Sequence, residues 1–249
     1  MDFLFIFLLG LVIGSFLNVC ISRIPQGESI SFPPSRCDYC YTNLKPWDLI
    51  PIASFLLLGR KCRHCGAELS WRYPGIEFLT GIIFLFFYLQ FGLNIKLSAY
   101  LFLASLLVVI SFIDIDHYRI PNSLILMGIG AGVGFIIFTH FIHPRDALLG
   151  FFTGGGILFF ISLVSRGGMG GGDIKLGALI GLFLGWKLSL ISLFLAALFA
   201  SLIGILLIVL GKKSLKDALP FGPFLALGAI LSLFWGNDLL SWYIRHFVA

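Results

Sequence analysis

The chain has 249 residues, of which 59% are hydrophobic and only 12% are charged. About a quarter of a soluble domain is charged, so this chain cannot cover itself with polar surface and its solvent must be largely lipid. The formal net charge of +5 does not indicate nucleic acid as a partner. The basic residues lie in loops between apolar runs, where they set the orientation of a membrane protein.

Apolar runs of about 20 residues recur along the chain, and each is long enough to cross about 30 Å of hydrocarbon. A backbone in lipid must satisfy its own hydrogen bonds, so we expect these runs to be helices. The first run lacks the basic start and the cleavage site of a signal peptide, which indicates a retained span. The sequence predicts an all-α polytopic membrane protein with about eight transmembrane helices, at residues 3–22, 75–93, 97–114, 122–141, 146–165, 174–187, 188–210 and 220–236.

Lys and Arg are distributed unequally between alternate loops of this topology. Thirteen of the 17 lie in loops on one side of the membrane. Because positively charged loops remain in the cytoplasm, we expect that side to be cytoplasmic and both termini to face outward. The loops concerned are residues 23–73, 115–121, 166–175 and 211–219.

Residues 23–73 contain two Cys-x-x-Cys pairs, Cys37 with Cys40 and Cys62 with Cys65. This spacing is typical of a four-thiolate zinc site, in which each pair gives two sulfurs to one tetrahedral ion. A small segment with few core residues needs such a staple. The alternatives are two disulfides or idle thiols, and a cytoplasmic location argues against disulfides. We therefore predict a closed, structural zinc site, with His64 as a bystander and Cys20 as a packing residue in the first span.

Asp114 follows directly on the third apolar run, and Asp173 precedes the sixth. Acidic groups beside membrane spans are costly and are candidates for function. Asp116 points about 200° away from Asp114 on a helix, so those two residues cannot form a pair. We expect Asp114 and Asp173 to meet at the cytoplasmic interface and to share a proton, as two close carboxylates do. One would act as base toward a water and the other as acid toward a scissile amide.

These aspartates also have simpler interpretations. Asp173 would cap the following helix, as Asp often does, and Asp114 would pair with Arg119. The glycines Gly170, Gly171 and Gly172 would form a flexible linker, since their spacing fits neither nucleotide-binding motif. We favour a substrate-binding role for these glycines, in which an extended peptide lies against a backbone without side chains.

At these residues the sequence resembles the type IV prepilin peptidase family, the bacterial branch of the Gly-x-Gly-Asp aspartic proteases. The motif stands as Gly170-Gly171-Gly172-Asp173, and Asp114 lies seven residues before Pro121, as the first family aspartate does. Asn122 is a small departure, since bacterial members often have Asp there. The resemblance covers essentially the whole chain and extends to residues 14–25, the paired cysteines, residues 72–74 with Glu77, residues 80–81 and residues 220–226.

The resemblance implies cleavage of the basic leader of type IV prepilins and pseudopilins, followed by N-methylation of the new N terminus with S-adenosylmethionine. It also implies a bacterial inner-membrane protein whose active site lies on the cytoplasmic side. Residues 1–96 would form the methyltransferase-associated half, which peptidase-only relatives lack, and residues 97–249 the peptidase half. The candidates for binding the methyl donor are Asn18, Arg72 and Glu77, each of which would otherwise be an interface anchor or a helix cap.

Three other functions remain open at this point. A transporter or proton channel would use the aspartates as a relay, but both acids are predicted at one face, and no internal repeat is visible. A general protease of presenilin type shares the Gly-x-Gly-Asp motif, but the paired cysteines and residues 72–74 favour the prepilin enzyme. A zinc-stapled scaffold without catalysis is the third.

Overall fold

The computed structural model describes residues 2–37, 39–166, 168–214 and 217–247. Within these ranges the chain is helical, and the β-structure consists of two isolated bridges, Arg36 with Asn43 and Lys61 with Glu68. The predicted all-helical class is confirmed. Gly167 and Lys216, which belong to loops used for the predicted orientation, lie outside the described residues. The chain forms two compact units, Met1–Leu97 and Ser98–Ala249.

The first unit is built on two antiparallel helices, α1 (Asp2–Arg23) and α3 (Arg72–Phe91). Their backbones approach closely at glycines, because a Cβ atom on Gly10 would lie 2.7 Å from Cα of Gly81 and one on Gly14 would lie 2.7 Å from Cα of Glu77. Small residues at such contacts are typical of helix packing in membranes. The close approach brings Glu77 against the middle of α1.

A loop-rich segment connects these helices, and its described residues contain two short 3₁₀ helices, Ile24–Gln26 and Pro46–Leu49, and one short α-helix, α2 (Ala53–Leu57). The Arg23 side chain at the end of α1 fastens its beginning by donating hydrogen bonds to the carbonyl oxygens of Ser29, Pro33 and Pro34 at 2.8–3.2 Å. The Arg23 residue is only 9% exposed. The three carbonyl oxygens therefore satisfy a guanidinium whose charge would otherwise be costly to bury.

The second unit contains α4 (Ile95–His117), α5 (Asn122–Thr139), α6 (Pro144–Val164), α7 (Gly171–Val209) and α8 (Gly222–Phe247). Helix α4 supplies much of its core, including Leu103, Leu107, Ile110 and Ile113, each at most 1% exposed. Helices α6 and α8 pack closely on α7. The second unit is therefore a helical bundle around α4 and α7.

Helix α7 reverses direction at Gly185, where φ is 75° and ψ is 170°. A Cβ atom on Gly154 would lie 2.1 Å from the carbonyl oxygen of Gly177 and 2.9 Å from Oγ of Ser189. Gly177 and Ser189 thus both lie beside Gly154 of α6, whereas an uninterrupted helix would separate them by about 18 Å. The predicted sixth and seventh spans, 174–187 and 188–210, are the two arms of this one element.

Seven helices in the described ranges are long and apolar enough to cross a membrane, with α7 counted once. The prediction of about eight spans counted the arms of α7 separately. Helix α8 continues as far as Phe247, beyond the predicted end of the last span at residue 236. The chain is a multi-pass membrane protein.

Candidate active sites and metal centre

Asp114 lies in the last turns of α4 and is 5% exposed. Its Oδ2 accepts a hydrogen bond of 2.8 Å from the backbone N–H of Gly222, the first residue of α8. A Cβ atom on Gly222 would lie 2.8 Å from the same oxygen. The start of α8 therefore holds the Asp114 carboxylate through a contact that leaves no room for a side chain.

Asp173 is the third residue of α7, which begins at Gly171. Its carboxylate accepts a hydrogen bond from the backbone N–H of Gly170 and lies close enough to Asp114 for the two charges to repel each other. The hydrogen bond to Gly170 is the reciprocal half of a capping box. Asp173 is therefore not the N-cap of a helix that begins at Ile174, as the simpler interpretation expected, because the helix begins at Gly171 and its N-cap is Gly170. From the third position Asp173 stabilises the start of its helix and also faces the second aspartate.

The three motif glycines occupy different environments. Gly170 is the N-cap of α7 in an extended conformation, and a Cβ atom there would lie 3.0 Å from Oδ2 of Asp173. A Cβ atom on Gly172 would lie 3.0 Å from Cβ of Ile120, whereas one on Gly171 would meet nothing within 4 Å. Gly171 and Gly172 belong to the first turn of a helix, so the predicted substrate-facing loop is a helix N-terminus.

Polar contacts tie together the helix ends around the aspartates. Nζ of Lys175 donates to Oδ1 of Asn122 at 2.8 Å, which places the starts of α5 and α7 side by side. Nζ of Lys213 lies over the Tyr118 ring and donates to its hydroxyl at 3.3 Å. Because the start of α7 and the chain beyond its end lie at the same end of the unit, α7 must turn back, as the Gly185 geometry indicates.

Neither Asp116 nor Arg119 belongs to the aspartate pair. Asp116 is exposed, in contrast to Asp114. Among the ion pairs of the described residues, none joins Asp114 to Arg119. The partner of Asp114 is Gly222, 108 residues away, and no local sequence signal could have identified it.

The sulfur atoms of Cys37, Cys40, Cys62 and Cys65 all lie within 4.8 Å of one another, with 3.9 Å between Cys37 and Cys65. All five cysteines of the chain are free thiols in the structure, so the disulfide alternative is not realised. Cys20 is buried within α1 and belongs to a different part of the unit. The four thiols form a cluster that can hold a metal ion.

The two cysteine pairs sit in matching backbone turns related by a shift of 25 residues. The N–H of Cys37 donates to Thr42 and that of Cys62 to Ala67, and the isolated β-bridges flank each turn in the same way. The residue after each second cysteine, Tyr41 or Gly66, has positive φ. The two knuckles thus form an internal repeat that presents two sulfurs from each side.

Hydrogen bonds around the cluster favour thiolate at two positions. Hydrogen bonds from Thr42 lower the pKa of the Cys40 thiol to about 6, and the backbone N–H groups of Cys65 and His64 lower that of Cys62. The N–H of Ala67 also acts on Cys65, but desolvation and the three neighbouring thiols raise its pKa to about 11. Four thiolates would repel one another, and a cation among them would remove that repulsion.

A cavity of about 450 Å³ lies in the first unit, between the ends of α1 and α3 and the connecting segment. Asn18 and Glu77 line it and are 8% and 7% exposed. The Asn18 amide donates from Nδ2 to the carbonyl oxygen of Tyr73 at 3.1 Å. Arg72, the third predicted donor-binding residue, is the first residue of α3 and is not part of the cavity wall. The structure thus brings together two of the three candidates.

One feature of this cavity has no sequence signal. The N–H of Ile52 donates to Oε2 of Glu77 at 2.7 Å, and Ile52 has φ of 59° and ψ of −49°. Positive φ at a β-branched residue is a steric outlier. Nothing in the local sequence marks Ile52, because Ile is not a residue that favours such conformations.

The structure defines a multi-pass membrane protein with an aspartate pair in one unit, of which Asp114 is buried and Asp173 half-buried, and a four-cysteine centre in the other. Residues 8–91 match the family described as Bacterial Peptidase A24 N-terminal domain, and residues 101–205 match the Type IV leader peptidase family. The chain belongs to the type IV leader peptidase family. It is accordingly an enzyme, a peptidase and methyltransferase.

Three similar relatives carry the name prepilin leader peptidase/N-methyltransferase. The protein of Bacillus subtilis (strain 168) is 36% identical over 96% of this chain and 97% of its own length. That of Aeromonas hydrophila is 33% identical over 99% and 95%, and that of Stutzerimonas stutzeri is 32% identical over 95% and 92%. No solved structure matches the chain.

Proposed function

We propose that the chain cleaves the leader of type IV prepilins and pseudopilins and then methylates the new N-terminal amine with S-adenosylmethionine. The observation that carries the peptidase part is the meeting of Asp114 and Asp173, from different helices, at one end of the second unit. The relatives named above supply the substrate class, since their printed names include the prepilin leader.

In this mechanism the aspartate pair shares one proton, because two close carboxylates do not both ionise easily. The ionised member removes a proton from water, whose oxygen attacks the scissile carbonyl carbon. The protonated member donates its proton to the carbonyl oxygen, which gives a gem-diol. As the C–N bond breaks, the member that deprotonated the water passes that proton to the leaving amine, and the other member recovers its proton from a gem-diol hydroxyl. Water is thereby split between the new carboxyl group and the new amine, and no covalent intermediate forms.

Gly170, Gly171 and Gly172 are the proposed substrate-binding residues. Gly170 has an extended backbone immediately before the helix that carries Asp173, and the absence of side chains permits close approach of a peptide. The N-terminus of α7 offers free N–H groups to carbonyl oxygens of such a peptide.

The proposed location is the bacterial inner membrane, with the aspartate pair on the cytoplasmic side. The excess of Lys and Arg in the loops around that end supports this orientation. A basic leader held in the cytoplasm would reach the pair from that side.

We further propose that the four-cysteine cluster binds one zinc ion. Four Zn–S bonds of about 2.3 Å in a tetrahedron separate the sulfurs by about 3.8 Å, close to the distance between Cys37 and Cys65. With four thiolates the coordination sphere is closed, so the role of the metal is structural.

Methyl transfer is proposed for the first unit, with S-adenosylmethionine as a substrate held in the cavity lined by Asn18 and Glu77. Arg72 stays a candidate at the start of α3, outside the cavity wall. The reaction needs a neutral amine, a held sulfonium and in-line geometry, so its rate should come mainly from positioning. The side-chain oxygen Oδ1 of Asn18 can accept a hydrogen bond from S-adenosylmethionine, because Nδ2 of the same amide already donates to the carbonyl oxygen of Tyr73.

The decisive experiment incubates the purified chain with a prepilin in detergent and measures leader cleavage by mass. Cleavage at the leader junction that is lost with Asp114→Asn supports the proposal. A relay or channel, or a non-catalytic scaffold, would give no cleavage. A presenilin-type protease would cut within the apolar segment of a substrate and not at the leader.

A further inference from the structure

Residues Pro51 to Ala53 form a γ-turn whose central residue has positive φ. The N–H of Ala53 donates to the carbonyl oxygen of Pro51 at 2.5 Å, and Ile52 between them has φ of 59° and ψ of −49°. This form of the γ-turn is rare and strained. Such conformations persist only where the surrounding structure determines them, and they cluster at functional sites.

The contact that determines this turn is the side chain of Glu77. Its Oε2 accepts the Ile52 N–H at 2.7 Å, and the carboxyl group also accepts a hydrogen bond from the Ser15 hydroxyl. The Ile52 N–H has no helical partner, since Ile52 precedes the first residue of α2. Glu77 therefore links the turn to both α1, through Ser15, and α3, its own helix.

The turn joins two stretches of chain that form one wall of the cavity in the first unit. Ser54, directly after the turn, is bonded to the carbonyl oxygen of Ile50, directly before it, through both its N–H and its hydroxyl. A change at Ile52 would thus move both stretches together. The wall residues are Asp48 and Leu49 before the turn and Ser54, Phe55 and Leu58 after it.

We propose that Glu77 is a positioning residue for methyl transfer, which acts by holding the γ-turn at Ile52 and thereby shaping the donor cavity. This inference rests on the proposed assignment of methyl transfer to the first unit. It differs from a direct role, in which the negative charge of Glu77 would contact the sulfonium of S-adenosylmethionine. Without the hydrogen bond, the turn relaxes, the fraction of chains with a formed cavity falls, and the apparent affinity for the donor falls with it.

The first test compares Glu77→Gln with Glu77→Ala. A glutamine carbonyl oxygen accepts the Ile52 N–H as the carboxylate does, whereas alanine accepts nothing. We expect the KM for S-adenosylmethionine to stay within about threefold in Glu77→Gln and to rise at least about tenfold in Glu77→Ala, with kcat at saturating donor changed less than about threefold. The substrate is a pre-cleaved pilin, so that the measurement does not depend on the peptidase.

The second test is rescue at a second position. Glycine adopts positive φ without a steric penalty, so Ile52→Gly should keep the turn formed in the absence of its partner. We expect Ile52→Gly to lower the KM of Glu77→Ala at least about threefold. The matched control is Ile50→Gly, two residues earlier at an ordinary φ of −64°, and it should not rescue.

Leader cleavage and metal content are measured on the same preparation of each variant. Values equal to those of the unaltered enzyme show that the variant is folded. Equal damage by Glu77→Gln and Glu77→Ala, without rescue by Ile52→Gly, would mean that the charge contacts the donor and would overturn the inference. A raised KM in Asn18→Ala with none in Glu77→Ala would also overturn it while leaving the donor cavity supported. An unchanged KM for S-adenosylmethionine in both Asn18→Ala and Glu77→Ala would overturn the assignment of the donor to this cavity, together with the inference.

Discussion

The backbone N–H of Gly222 donates a hydrogen bond of 2.8 Å to Oδ2 of Asp114 across 108 residues of chain. Phe221, which precedes α8, has no side-chain oxygen to accept from this N–H. Pro223, which follows Gly222, has no N–H at all. The buried carboxylate therefore caps α8 from another helix. In return, the helix start fixes which way one oxygen of Asp114 points.

Gly222→Ala should reduce leader cleavage strongly. The added Cβ atom would lie 2.8 Å from Oδ2 and 3.3 Å from Cβ and Cγ of Asp114, so the carboxylate must move. A displacement of this kind costs about 100-fold in rate when a reacting group is positioned. The measurement is kcat for cleavage of a prepilin.

The control for this variant is Gly130→Ala in α5, where a Cβ atom would meet nothing within 4 Å. It should leave cleavage near the level of the unaltered enzyme. Equal loss in both variants would show that helix stability, and not the contact with Asp114, explains the effect.

Asp114→Asn and Asp173→Asn should each lower the rate of cleavage at least about 100-fold, because neither amide can exchange a proton as its carboxyl group does. Asp116→Asn should retain most activity, since its side chain is exposed. Cleavage rates measured in detergent, together with metal content as a sign of folding, test this. Full activity in Asp114→Asn combined with loss in Asp116→Asn would reverse the assignment.

Gly172→Ala should impair cleavage through Ile120, because the new Cβ atom would lie 3.0 Å from Cβ of that residue. The double variant Gly172→Ala with Ile120→Gly should recover activity by at least about fivefold, because glycine removes the Cβ atom that the new methyl group meets. Recovery would show that Gly172 acts through its contact with Ile120, so that the proposed substrate contact is made by Gly170 and Gly171. No recovery would show that a substrate also requires the bare backbone at residue 172. Cleavage rates of the two single variants and the double variant distinguish these explanations.

The purified chain should contain about one zinc per polypeptide, as four thiolate ligands require. Cys37→Ser or Cys65→Ser should lower that content and destabilise the segment between α1 and α3, and the metal should be released at acid pH, where thiols are protonated. His64→Ala and Cys20→Ser should leave the metal in place. Elemental analysis decides, and undiminished zinc in a Cys37→Ser, Cys40→Ser double variant would refute the site.

The two activities should separate by mutation. Asp173→Asn should still methylate a pre-cleaved pilin, because methyl transfer has no use for a proton-sharing acid pair. Asn18→Ala should raise the KM for S-adenosylmethionine by about tenfold, the value of one hydrogen bond to a charged ligand, while leader cleavage continues. Labelled donor and mature-length pilin supply the assay. Loss of methylation in folded Asp173→Asn would mean that both reactions share one site.

Much of the site could be predicted from short stretches of sequence. The four cysteines could be recognised from their spacing, because each Cys-x-x-Cys turn is formed by residues that are adjacent in sequence. Asp114 and Asp173 stand out because charge beside an apolar run is rare and costly. The membrane class follows from composition, because no fold of this chain could hide so much apolar surface from water.

Tertiary structure decided the features that join segments distant in sequence. The pairing of Gly222 with Asp114, the reversal of α7 at Gly185 and the γ-turn at Ile52 all depend on which helices pack together. Neither Gly222 nor Ile52 carries a side chain with chemical function, and both act through backbone N–H groups that every residue except proline has. Composition and spacing report side chains, so a role performed by the backbone becomes visible only when the packed helices bring its partner within hydrogen-bonding distance.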